Sequence, residues 1–269
     1  MKNARLAVRV STKEGFVLKV RVKFTKKSSM SYIGHLDVMR YFQKLMRRAQ
    51  IPIAFSSGYS PHMIMSFASP LSLGVTSEAE YFDIELTEKV SSKEAVARMN
   101  EAGVEGIEVL SFLQIPSEKK MTAMSIFSAA SYRVTLEDFC DEGESPSFQE
   151  KDYLLEECSK AHEGKNTIEK FMDQTEILIL KKTKKSEGLV DIKPFIYELK
   201  SRDNTSVTMT LAAGSKENLK PNLVMKALCS FQEKEYNEST YSFHRLEMFA
   251  DSLENGQLVT LESFGKEIF

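Results

Sequence analysis

A change of hydrophobic period constrains this chain more than any other feature. Across residues 16–24, FVLKVRVKF, the side chains Leu18, Val20, Val22 and Phe24 alternate with Lys19, Arg21 and Lys23. That is the pattern of a strand with one face in the core. Within residues 34–49 the period lengthens to that of a helix. Met39, Phe42, Leu45, Met46 and Ala49 share one face, and Arg40, Lys44, Arg47 and Arg48 gather on the opposite one. Pro52 then stops the helix, having no amide hydrogen to continue it.

The same alternation of periods continues. The segment EYFDIELTE at 80–88 reads as a strand, KEAVARMNEA as a helix with Ser91 or Ser92 as its cap, and GIEVLSFLQIP as a strand. With the short apolar stretch MIMSFA at 63–68, the order is strand, helix, strand, strand, helix, strand, the split βαβ or ferredoxin-like unit. The second half repeats it: SYRVTLE as strand, helical stretches around 147–172, ILILKKT and SVTMTLAAG as strands, NLVMKALCSF as a helix behind Pro221, and YSFHRLEMFAD as a closing strand. The expectation is an α+β protein of two tandem ferredoxin-like units with antiparallel sheets, at 16–116 and 129–250. Residues 1–15 and 251–269 are then terminal extensions, and TKKSEGLVDIKPFIYELKSRDN at 183–204 is an insertion longer than a hairpin needs.

Charge is uneven. Residues 1–50 hold 13 Lys and Arg against two acids, Glu14 and Asp37, on a chain of net charge −2. A basic block of this kind suits an anionic partner such as RNA. The strand cations are the weaker candidates. In a ferredoxin-like sheet the first and third strands are neighbours, so Lys19, Arg21 and Lys23 face the same side as Tyr81, Asp83 and Glu85 and pair with the acids. The helix face of Arg40, Lys44, Arg47 and Arg48 has only Asp37 nearby and is the better place for an anion.

Cys140, Cys158 and Cys229 are too scattered for a disulfide framework, a zinc site or an iron–sulfur cluster, so no metal or cofactor is expected in this chain. No apolar run approaches the roughly 20 residues that cross a bilayer, and the first residues lack the apolar core of a signal peptide. A cytoplasmic protein without a membrane partner is expected.

Two of the four histidines mark a candidate site. His35 opens the first helix, and His62 follows Tyr59, Ser60 and Pro61 in the loop GYSPH, where Pro61 and Pro70 stiffen the backbone and Gly58 and Gly74 permit turns that other residues resist. His35, Tyr59, Ser60 and His62, beside the basic helix face, are expected to line one polar pocket for an anionic ligand or RNA phosphate. Asp37 and Asp83 are the nearest candidate acids. Two imidazoles in reach of one phosphodiester could cleave it as acid and base; either could instead bind a ligand or pin the loop.

At these residues a resemblance enters. GHLDVMR at 34–40, GYSPH at 58–62 and SFASPLSLGVTSEAEYFDIEL at 66–86, with DIKPFI at 191–196 and Arg245 more weakly, resemble the bacterial radical-SAM-associated protein family, a domain family of unknown function. The resemblance spans about residues 16–250. It implies a protein encoded beside, or fused to, a cobalamin-binding radical SAM protein, often near ribonuclease and ribosomal-protein genes. Iron–sulfur cluster, S-adenosylmethionine and cobalamin then belong to the partner. Met63 and Met65 depart from the more polar side chains expected there. The function expected is a substrate-binding or scaffold accessory to a radical SAM enzyme, with RNA as a further candidate partner. The rivals are a metal-independent endoribonuclease using His35 and His62, by analogy with tandem ferredoxin-like nucleases, and an RNA-modifying enzyme of the tandem pseudouridine synthase type.

Overall fold

The opening alternation becomes strand β1 (Leu18–Lys26) in the computed structural model, which describes residues 17–136, 161–162, 165–182, 187–203, 206–252 and 256–269. Helix α1 (His35–Arg48) buries Val38, Phe42, Leu45 and Met46, with Val38 in the inward place expected for Met39, which is half-buried. Strands β2 (Met65–Phe67) and β3 (Thr76–Leu86) follow, then α2 (Ser92–Glu101), where the Ser91 side chain accepts from the Glu94 amide, and β4 (Val109–Gln114). A single turn, α3 (Ala123–Ile126), leads into β5 (Phe127–Leu136).

Beyond β5 come the short pair β6 (Ala161–His162) and β7 (Lys165–Asn166), and then α4 (Thr167–Asp173), started by a capping box between Asn166 and Glu169. Strands β8 (Leu178–Lys182), β9 (Glu187–Asp191), β10 (Ile196–Asp203) and β11 (Ser206–Ala212) precede α5 (Pro221–Phe231). Strands β12 (Tyr241–Asp251) and β13 (Leu258–Thr260) close the chain.

One sheet runs through both halves in the order β10-β11-β5-β12-β3-β1-β4, with β2 also on β3 and β13 also on β12. The N-terminal strands thus lie in the order β4-β1-β3-β2 and the C-terminal ones in the order β12-β5-β11-β10, with every neighbour antiparallel. The halves join through a parallel pairing of β12 with β3, His244 opposite Thr76 and Arg245 opposite Ser77. Instead of a separate main sheet for each half, one main sheet serves both. The expected neighbours β1 and β3 pair in register, Lys19 with Glu85, Arg21 with Asp83 and Lys23 with Tyr81.

Two expectations change. The segment ILILKKT is a strand, β8, but it pairs with β9 in a separate ribbon. Its place in the main sheet is taken by β10, which lies in the stretch read as an insertion. The reason is a register shift between Ile196 and Glu198, which sets the inward residues Ile196 and Leu199 three apart and erases the period-two signature. Residues 256–269, read as an extension, are built into the fold: Leu261 and Ile268 are buried, and Lys266 bridges Gln114. The acidic run at 141–147, the helical stretch before 161 and the extension at 1–15 lie outside the described residues.

The core under α1 is aromatic. Phe24, Phe42, Phe67 and Phe82 form a cluster with ring centroids 4.6–6.2 Å apart. The same sheet register puts Glu80, two residues before Phe82, on the inward face near the parallel junction.

Candidate functional site

The residues singled out in the sequence do not share one pocket. His35, the first residue of α1, sets its ring edge-on to Phe67 at 5.4 Å and lines a cavity of only about 10 Å³ with Lys26, Ser69 and Glu80, room for about one water. Burial, with the Lys26 charge adding to it, holds its imidazole below the usual histidine pKa. Neither Tyr59 nor His62 lines this cavity. His62 is exposed; its Nδ1 shares a hydrogen bond with Ser56 Oγ (2.8 Å), and its backbone amide donates to the same oxygen (3.1 Å). Tyr59 and Ser60 are exposed at the loop tip, and Gly58 and Gly74 take the positive φ expected of them, 115° and 78°.

The basic face of α1 is formed as expected, with Arg40, Lys44, Arg47 and Arg48 all exposed. Two of the four are engaged: Arg40 Nη1 lies 3.1 Å from Asp37 Oδ1, and the Arg48 guanidinium sits 6.0 Å from the Tyr41 ring centre. The strand cations are paired more completely. Arg21 donates to both Asp83 oxygens (2.8 and 3.1 Å) and to the carbonyls of Leu261 and Met121, while Lys23 pairs with Glu247 and Glu262. The cations of that sheet face are therefore neutralised by neighbouring acids.

A different set of charges is enclosed where the halves meet. Arg245 Nη1 donates to both oxygens of Glu80 (2.9 and 3.1 Å), with both residues almost wholly buried. Burial pushes the Glu80 carboxyl above its usual pKa despite Arg245. Lys26, also buried, donates from Nζ to the carbonyls of Ser31 (3.2 Å) and Ile33 (3.0 Å), and burial pulls its pKa down. The cluster thus sets two cations against one carboxylate in a region of low dielectric. The Arg245 guanidinium lies 5.7 Å from the Tyr132 ring centre, and its Nε is enclosed without a hydrogen-bond partner.

Arg245 also lines the wall of a cleft of about 480 Å³. One side of this cleft is the loop at 69–75, the second half of the very loop that drew attention in the sequence, together with Tyr32. The other side comes from the C-terminal half: Asn218, Lys220 and Asn222 at the start of α5, Glu238 and Ser239, and Tyr241 and Phe243 of β12. Helix α5 begins with Pro221 behind Lys220, and no side chain caps it. Asn222 Nδ2 donates to Glu238 Oε1 (3.2 Å), leaving Asn222 Oδ1 buried without a partner. Ser69 and Leu71 line both the cleft and the small cavity at His35. A broader hollow of about 770 Å³ runs along α2, β4 and residues 267–269, but Lys93 and Glu267 are its only charged members.

With β1, β3 and the 69–75 loop in place, the sequence can be set beside known proteins. The chain belongs to the bacterial family described as "Uncharacterized protein conserved in bacteria (DUF2344)". The match covers residues 19–221, so it takes in Lys26, Glu80, the cleft loop and Lys220 of this DUF2344 protein and stops short of Arg245. No curated protein matches the chain.

Reasoning from sequence missed Lys26, Tyr32, Glu80, Lys220 and Asn222. A signal for two of the cluster residues was present. Glu80 continues the inward series Phe82, Ile84, Leu86, and Arg245 continues the inward series Tyr241, Phe243. Charges on the core-facing register of two strands call for each other.

Among the described residues no group of histidine, cysteine or carboxylate side chains is arranged to hold a metal ion, and no helix is long and apolar enough to cross a membrane.

Proposed function

We propose that this DUF2344 protein is a ligand-binding accessory, seating in its interhalf cleft the substrate of a radical SAM enzyme that supplies the chemistry. The cleft carries the binding part of this reading: about 480 Å³, within the roughly 300–1,000 Å³ of small-molecule sites, concave, lined by aromatic side chains such as Tyr32, Tyr241 and Phe243, and fitted with polar groups from both halves. The partner part rests on the sequence resemblance at 34–40, 58–62 and 66–86, which implies that cluster, S-adenosylmethionine and cobalamin belong to that partner, and a cytoplasmic setting goes with it. The strand orders β4-β1-β3-β2 and β12-β5-β11-β10 support the reading of each half as a ferredoxin-like unit.

The rival readings find less support. A nuclease needs His35 and His62 on one phosphodiester, yet the first packs on Phe67 and the second bonds to Ser56. A pseudouridine synthase needs a catalytic aspartate, and Glu238 is the only carboxylate among the residues lining the cleft. The test is capture from a bacterial lysate on the tagged full chain, with bound protein and RNA both sequenced. Retention of a radical SAM protein upholds the accessory reading; a defined cleaved RNA end without such a protein overturns it.

A further inference from the structure

Building on that reading of the cleft, we propose that its ligand is a phosphomonoester of the nucleoside monophosphate class, with the phosphate at the start of α5 beside Lys220 and Arg245 and the planar base against Tyr32.

The charge argument comes first. Behind the cleft wall, Lys26 and Arg245 face the single carboxylate of Glu80, so the enclosed cluster has one cation in excess. Arg245 is 4% exposed and lines the cleft, and its Nε is enclosed behind that wall. An excess buried cation is expensive to leave uncompensated, and an anion in the cleft beside Arg245 would offset it. The second element is α5, an 11-residue helix whose first turn opens on the same cleft with no capping side chain and with Lys220 at its cap position. The Asn222 amide and the helix dipole favour phosphate at such a point.

The lining also limits the charge of the anion. Lys220 and Arg245 stand against Glu238, which Asn222 holds at 3.2 Å. One phosphate, at about −2 near pH 7, exceeds that balance by about one charge, and a di- or triphosphate exceeds it by more. Tyr32 supplies the remaining recognition. It lines the cleft yet is 76% exposed, so an aromatic face is open for a ring to stack upon. A cleft of about 480 Å³ has room for one nucleotide unit, whether free or at the 5′ end of an RNA strand.

The experiment is titration calorimetry on the full chain at low salt with adenosine 5′-monophosphate, adenosine and inorganic phosphate, repeated with Lys220→Glu and Tyr32→Ala. Both positions are exposed, so both variants should fold. The expected result is one adenosine monophosphate per chain, with adenosine and phosphate each at least tenfold weaker. Lys220→Glu should weaken the nucleotide and phosphate at least tenfold, while Tyr32→Ala weakens the nucleotide and adenosine and leaves phosphate unchanged. A 5′-phosphorylated oligoribonucleotide that binds more tightly than the mononucleotide assigns the seat to an RNA end; one that binds no more tightly assigns it to the free nucleotide. Absence of nucleotide binding, or binding that neither variant alters, overturns the proposal. Capture of a radical SAM protein by the same preparation separates the two readings: capture without nucleotide binding removes only this ligand class, and nucleotide binding without capture removes only the partner.

Discussion

Replacing Asp83 by Ala should be among the most damaging single changes to this fold. Arg21 is 1% exposed, and Asp83 is its counter-ion among the described residues, accepting from Nε at 2.8 Å and Nη2 at 3.1 Å. Asp83 Oδ2 also accepts from the Ala123 amide at 2.6 Å, fixing the linker between the halves to β3. The substitution leaves a guanidinium held only by the carbonyls of Leu261 and Met121, and one buried amide with nothing to donate to. One-sided loss of a buried pair costs about 3–5 kcal/mol, because the remaining charge stays desolvated. With a urea slope of about 2–3 kcal/mol/M for a chain of this size, the unfolding midpoint followed by circular dichroism should fall by about 1–2 M. Removing both charges, in Arg21→Met with Asp83→Leu, should restore at least about 2 kcal/mol of the loss. A single variant that loses less than about 1 kcal/mol, or a double variant no better than the single, refutes the reasoning.

Three further outcomes follow from the geometry. Phe42→Ala empties the centre of the aromatic cluster, where Phe42 is wholly buried with its ring 4.6 Å from those of Phe24 and Phe82. It should cost about 3–5 kcal/mol in the same denaturation assay, and a loss below about 1.5 kcal/mol would contradict that packing. His35 and His244 are both held below the usual histidine pKa, mainly by burial, so below the ordinary value of 6.5 the folded state binds fewer protons than the unfolded. The stability they contribute is full above that pH and is lost as acid approaches their folded values. The wild type should therefore lose more stability between pH 7.5 and 5.5 than the His35→Gln/His244→Gln variant, and an equal or smaller loss would count against it. Metal analysis of the purified chain should find iron, zinc and cobalt below stoichiometric amounts, as the spacing of Cys140, Cys158 and Cys229 implies; one metal per chain would contradict this.

What was legible in the sequence was what periodicity encodes. The helix read between 34 and 49 is α1, His35–Arg48, because a 3.6-residue apolar stripe has one way to be buried. The cross-strand pairing of Lys19 with Glu85 and Arg21 with Asp83 followed from strand order alone. Strand β10 was hidden because its bulge breaks the alternation, and the ribbon partner of β8 was hidden because a period-two pattern announces a strand without naming its neighbour.

The candidate site was half legible. The 58–74 loop does line a cleft, but through its residues from Ser69 on rather than His62, and Lys220, Asn222 and Arg245 on the other side stand about 150–170 positions further on. The pairing of β12 with β3 helps bring them there. A contact made by the joining of two repeats leaves no local pattern in either one. Its trace is the inward charge that each repeat cannot satisfy alone.

Hydrogen–deuterium exchange of the full chain, with and without adenosine 5′-monophosphate, tests the cleft most directly. The account predicts slower exchange confined to residues 69–75 and to the start of α5 at 218–223, with α1 and the 56–62 loop unchanged. Protection of α1 or of 56–62, with the cleft segments unaffected, would place the ligand on the basic helix and at His62 and would contradict it.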